Sequence, residues 1–136
     1  MKQIIFITLF LLISCEENQS IQNIKDPNLY SIGFGSCLTQ ERSMPIFKTI
    51  KAENYDLFLM LGDNVYGDSE REDLLELREA YDRQRENFDS LNLNFPFEAI
   101  WDDHDYGMND AGSDYIHKKK SKELFLDFWD IPNDDV

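Results

Sequence analysis

The side chains of this sequence that could hold cations or move protons fall in three short stretches: Cys37 in Gly33-Phe34-Gly35-Ser36-Cys37, Asp63 and Tyr66 in Leu61-Gly62-Asp63-Asn64-Val65-Tyr66-Gly67-Asp68, and Asp103, His104 and Asn109 between Trp101 and Asp110. Attack on a phosphoester by metal-activated water needs anionic ligands that keep two cations a few ångströms apart, so that both the attacking and the leaving oxygen are neutralised. Asp63 suits the bridging position, because a carboxylate beside Gly62 can reach two ions without obstruction from its own backbone. Tyr66 offers a phenolate and Cys37 a thiolate, donors that favour a trivalent or soft metal such as iron. Beside a multivalent cation a thiol is deprotonated outright. Asp103 and Asn109 are hard oxygen donors suited to calcium or magnesium. His104, among carboxylates in a glycine-containing loop, can give a proton to a departing alkoxide or bind a phosphoryl oxygen. Taken singly, each has a plainer reading: an aspartate after a strand is commonly a turn former, a tyrosine core, a lone cysteine an inert buried thiol.

Those stretches must be brought together by the elements before them. The pattern predicts a strand over 30–35, a helix over 44–54, a strand over 56–61, a helix over 69–88, a strand over 97–101 and a helix over 121–129. Residues 57–61 form a continuous apolar run, as expected of a strand buried on both faces. In the long helix Ser69 and Glu72 have capping-box spacing, while Leu74, Leu77, Tyr81 and Phe88 fall on one apolar stripe opposite a solvated charged face. Strands alternating with crossover helices imply a largely parallel α/β arrangement with flanking helices. In open parallel sheets ligands bind beyond the carboxyl ends of the strands, and all three stretches follow such ends.

Before the domain lies different material. Met1 and Lys2 precede a nearly unbroken apolar run over 4–13, then Ser14 and Cys15. This run is too short to span a bilayer core of ~30 Å, so it reads as a cleaved export signal. Residues 12–15 resemble a bacterial lipobox, which makes Cys15 the expected lipidation site. Acyl chains contribute about 0.8 kcal/mol per buried methylene and would anchor the chain stably. Residues 1–15 are then the lipoprotein signal peptide, 16–28 a polar tether and 29–136 the domain. The expected location is the cell envelope, on the outer-membrane or periplasmic side. Loss of residues 1–15 removes only Lys2 among the charges, leaving 12 basic against 27 acidic residues, a net −15. Such a chain repels a polyanion, which argues against a nucleic-acid partner, and it invites multivalent cations. With Cys15 lipidated, Cys37 is the one remaining cysteine, so no disulfide is expected within the chain.

The segments "GFGSC", "LGDNVYGD" and "WDDHDYGMND" resemble the successive motifs of the PhoD-like alkaline phosphatases of the calcineurin-like metallophosphatase superfamily, over residues 31 to about 132. The resemblance implies an α-β-β-α sandwich of two sheets, phosphomonoesterase or phosphodiesterase activity on a phosphate ester, and a centre of iron and calcium. It carries iron ligation to Cys37, Asp63 and Tyr66, and calcium ligation to Asn109. Asp103 stands where related enzymes place a metal-binding asparagine before their catalytic histidine, which puts His104 in the acid's place. Members complete the centre with aspartate and histidine ligands from a second half of the fold. No such motifs follow Asn109, where the only histidine, His117, lies in the run His117-Lys118-Lys119-Lys120, expected as an exposed basic patch before the last helix. The expectation is therefore half of a sandwich, a truncated product whose partner is the missing C-terminal half and whose activity alone is in doubt. The alternative is a non-catalytic metal-binding envelope lipoprotein that kept the motifs.

Overall fold

A computed structural model describes residues 30–132. Cys15, the apolar run, the tether and the expected domain start at residue 29 lie outside the described residues. Within them the chain is α/β. Strands β1 (Ile32–Gly35), β2 (Leu57–Leu61) and β3 (Phe97–Ile100) form a parallel sheet in the order β1-β2-β3. Helix α1 (Ile46–Glu53) connects β1 to β2, and α2 (Leu75–Leu91) connects β2 to β3. The one-turn α3 (Asp103–Tyr106) and then α4 (Lys118–Phe128) follow β3. Among the described residues no helix is long and apolar enough to cross a membrane.

Because the strands advance always in the same direction, right-handed crossovers put α1 and α2 on the same face of the sheet. The register shows the consequence. Ile32 pairs with Leu57, Phe34 with Leu59 and Leu61 with Ile100, so these side chains share one face. That face is open: Phe34 is 69 % exposed and Ile100 57 %. On the other face Phe58 and Met60 are buried, with the Phe58 ring against those of Phe47, Phe95 and Phe97. The expectation of a β2 buried on both faces is thus corrected. Its apolar run is covered by helices on one side only, and composition alone does not distinguish the two cases.

A second apolar cluster lies under the helices. Leu74, Leu77, Ala80 and Tyr81 pack with Phe125, Leu126 and Phe128 of α4, so the expected stripe on α2 is its buried face. Phe88 joins the two clusters through tilted ring contacts with Phe97, Phe128 and Trp129. The start of α2 differs from expectation. The Ser69–Glu72 capping box does not form, because Ser69 Oγ donates to Glu76 and Glu72 pairs with Lys120 of α4. The chain instead turns through 71–73, and Leu74, in a left-handed conformation, precedes the helix. The expected basic patch is exposed at Lys118 and Lys119, but its place before the last helix is corrected. Lys118 to Lys120 form the first turn of α4, as good helix formers can, and Lys120 Nζ donates to the carbonyl and the carboxylate of Glu72.

Candidate metal centre

The parallel pairing of β1 and β2 continues past the strand ends. Cys37 N–H donates to the Gly62 carbonyl at 3.2 Å and Leu38 N–H to that of Asp63 at 2.8 Å, which sets Cys37 beside Asp63. Both residues have left-handed backbones, with φ of 59° and 50°. This conformation is uncommon outside glycine, and such residues gather at functional sites. Gly62 is required where it stands: its φ is +91°, and a Cβ would lie 2.6 Å from Asp102 Cβ. The close approach of these backbones is what brings the loop after β3 onto the loop after β2.

Cys37 Sγ donates to Asp63 Oδ2 at 3.6 Å, and the Tyr66 hydroxyl donates to the same oxygen at 3.0 Å. The other oxygen, Asp63 Oδ1, is buried without a hydrogen-bond partner. Ligand atoms of Asp63, Asp103 and His104 all lie within 4.8 Å of one another. A buried carboxylate oxygen without a donor is costly unless a cation or water meets it. The residues therefore fit a cation: two carboxylates and an imidazole converge, with a phenol and a thiol on Asp63 Oδ2 beside them. Asn109 is placed differently. Its side-chain amide donates to Asp110 at 2.7 Å, and its backbone N–H to Asp68 Oδ2 at 3.2 Å. The structure thus puts it at the rim of the group that gathers Cys37, Asp63, Tyr66, Asp103 and His104.

The loop after β3 is built to hold Asp103 and His104. Asp102 and Asp105 form a reciprocal capping box around α3, and Gly107, at φ 99°, ends it. Asp105 is completely buried and reaches across to the neighbouring loop, accepting from the Asn64 N–H and side-chain amide and from the Tyr81 hydroxyl. Burial pushes its carboxyl up to about 6 despite the donors around it. Burial likewise raises the Tyr81 phenol well above its usual range, with Asp105 adding to the shift.

Around the centre the shifts follow charge. Burial, then the hydrogen bonds to Cys37 and Asp63, raise the Tyr66 phenol, which therefore stays protonated unless a cation replaces those partners. The Asp110 N–H, ahead of a smaller opposing effect of burial, holds the Asp103 carboxyl below the ordinary range. For His104 burial disfavours the imidazolium, but the hydrogen bond and charge of Asp68, with Asp103 and Asp63 behind it, outweigh this and raise its pKa. His104 Nδ1 lies 2.6 Å from Asp68 Oδ1, and its ring sits 4.3 Å from that of Tyr66. With Nδ1 bonded to Asp68, Nε2 is the nitrogen left to exchange a proton.

Sequence reasoning missed several residues of this construction. Asp68 stands at the end of the second stretch but gave no sign of pairing with His104. Asp105 was hidden among neighbouring aspartates. Gln84 could have been found: with Leu77, Tyr81 and Phe88 it falls on the apolar stripe of α2, an unusual place for an amide. No family model, no curated protein and no solved structure matches the chain.

Proposed function

We propose that this chain is the N-terminal part of a PhoD-like metallophosphatase, tethered to the cell envelope through a lipid on Cys15 and acting on phosphate esters. The observation that carries the reading is the Asp63 carboxylate, whose Oδ2 accepts from Cys37 and Tyr66, whose Oδ1 is buried and unpartnered, and which lies within reach of Asp103 and His104. In this reading Cys37, Asp63 and Tyr66 hold iron, and Asp103 and Asn109 hold calcium, with other divalent metals as possible substitutes. Bound cations supply Lewis acidity, making a water nucleophilic at neutral pH and neutralising the phosphoryl oxygens. The chain's own residues do the rest. Asp63 would hold a cation within reach of Asp103 and His104. Asp68 fixes the His104 ring through Nδ1, so that Nε2 can give its proton to the departing alkoxide. Beside Asn109 a groove lined by Met108, Asp110, Tyr115, Ile116 and His117 leaves room for the leaving group.

The open sheet face is in keeping with half of a two-sheet sandwich, and Ile32, Phe34, Leu61 and Ile100 are the side chains a second sheet would cover. The strongly acidic composition favours cations and speaks against nucleic acid as a partner. Phosphate release from an aryl phosphate by the full gene product, measured with and without chelator, tests the proposal. Turnover abolished by chelator and restored by metal is expected, and turnover indifferent to chelator would defeat it.

A further inference from the structure

Resting on the metal centre just proposed, we infer that Gln84 of α2 is a positioning residue for the two candidate ligands with left-handed backbones, Cys37 and Asp63. Gln84 is completely buried. Its Nε2 donates to the Leu38 carbonyl at 3.0 Å and to the Asn64 carbonyl at 2.7 Å. Each of those carbonyls belongs to the residue immediately after one of the two left-handed positions, Cys37 at φ 59° and Asp63 at φ 50°. A single amide group therefore fastens both loops just where their backbones adopt conformations that non-glycine residues rarely keep unsupported.

The amide is itself held. Asn87 Nδ2 donates to Gln84 Oε1 at 3.2 Å, which fixes which end of the amide faces the loops, and also to the Gln40 carbonyl at 3.0 Å. Gln40 in turn pairs through both ends of its side chain with the backbone of Tyr66, donating to the carbonyl at 2.7 Å and accepting from the N–H at 3.0 Å. Amides from α2 and from the loop after β1 thus hold the backbone of Tyr66 and of the residues directly after Cys37 and Asp63. These amides are neutral and all their bonds run to backbone or to one another, so they set geometry without adding charge to an already anionic group. An amide used only to satisfy the core would have no reason to span two separate loops at these two positions. Loss of the Nε2 donors frees both loops to relax, and the thiol and carboxylate no longer face one point.

Titration of the reduced chain with Co²⁺ tests this, because a cysteine thiolate bound to Co²⁺ gives a charge-transfer absorption that a site made of carboxylates alone lacks. Wild type is expected to show the band. Gln84→Met, close in size but without donors, is expected to bind about tenfold or more weakly, with the band reduced or lost. Leu126→Val, a core change on α4, controls for stability and should keep the band at an equal drop in melting temperature. Should Gln84→Met fail to fold, Asn87→Ala decides, with a smaller loss of affinity expected. An undiminished band and affinity in the folded Gln84 variant, or in Asn87→Ala where that variant stands in for it, overturns this inference alone. Wild type without any band overturns the shared centre and this inference with it.

Discussion

At the scale of single residues, the centre turns on what each partner does to its neighbour's proton. Asp63 Oδ2 accepts from both Cys37 and Tyr66, and burial together with these hydrogen bonds raises the Tyr66 phenol, which keeps its proton. His104 is tuned the opposite way, with Asp68 supporting its charged form against burial. Two outcomes follow in steady-state kinetics on a phosphate ester. His104→Ala should lower kcat by about 10²-fold or more, as for loss of a proton donor. Asp68→Asn should lower kcat by about tenfold to a hundredfold with little change in KM, since it alters the orientation of His104 and not substrate binding. Equal rates in wild type and Asp68→Asn would remove Asp68 from the account. The three stretches of chemistry were legible because ligand types stood directly after apolar runs. Asp68 and Asp105 were not, since nothing in a string of aspartates says which one turns inward to brace a loop and which faces a cation.

At the scale of elements, two joints hold the sheet and helices in the arrangement the site needs. Asp56, just before β2, accepts from the N–H groups of Tyr30 and Ser31 and from the Ser31 hydroxyl, pinning the approach to β1. Those backbone donors, with the hydroxyl, lower its pKa below the ordinary carboxylate value of 3.8. The ionised form is thus the one the fold favours, so its contribution is present above about pH 4 and is lost as pH falls through the lowered value. Asp56→Ala should therefore be less stable than wild type at neutral pH, with the difference shrinking below pH 4; denaturant melts at several pH values would show it, and a constant difference would contradict it. Gly67 is the second joint, where a Cβ would meet Leu77 Cα at 2.7 Å and the Glu76 carbonyl at 2.6 Å on the first turn of α2. Gly67→Ala is expected to cost roughly 1–3 kcal/mol in urea melts, and an unchanged midpoint would show that α2 does not pack this closely. The strands were readable from their apolar runs and the α2 stripe from its spacing. The beginning of α2 was not, because Ser69 and Glu72 had equally good partners in Glu76 and Lys120, supplied by contacts that no local pattern encodes.

At the scale of the whole molecule, the sheet has one face covered by helices and one open face. Phe58→Ala on the covered face should cost about 3–5 kcal/mol, whereas Phe34→Ser on the open face should change stability by no more than about 0.5 kcal/mol. Comparable losses for the two would mean that the open face is packed after all. This asymmetry was only half visible beforehand: half of a sandwich implied one sheet face without cover, but the apolar run of β2 read as buried on both faces. Among the described residues, the acidic loops at the strand ends bring Asp63, Asp103 and His104 together as a group that could hold a cation. The most direct measurement is the metal content of the purified chain after incubation with iron and calcium and exhaustive dialysis, compared between wild type and Asp63→Ala. Metal retained at fixed stoichiometry by wild type and lost in Asp63→Ala is the predicted result; equal content in both, or none in wild type, would contradict the shared centre.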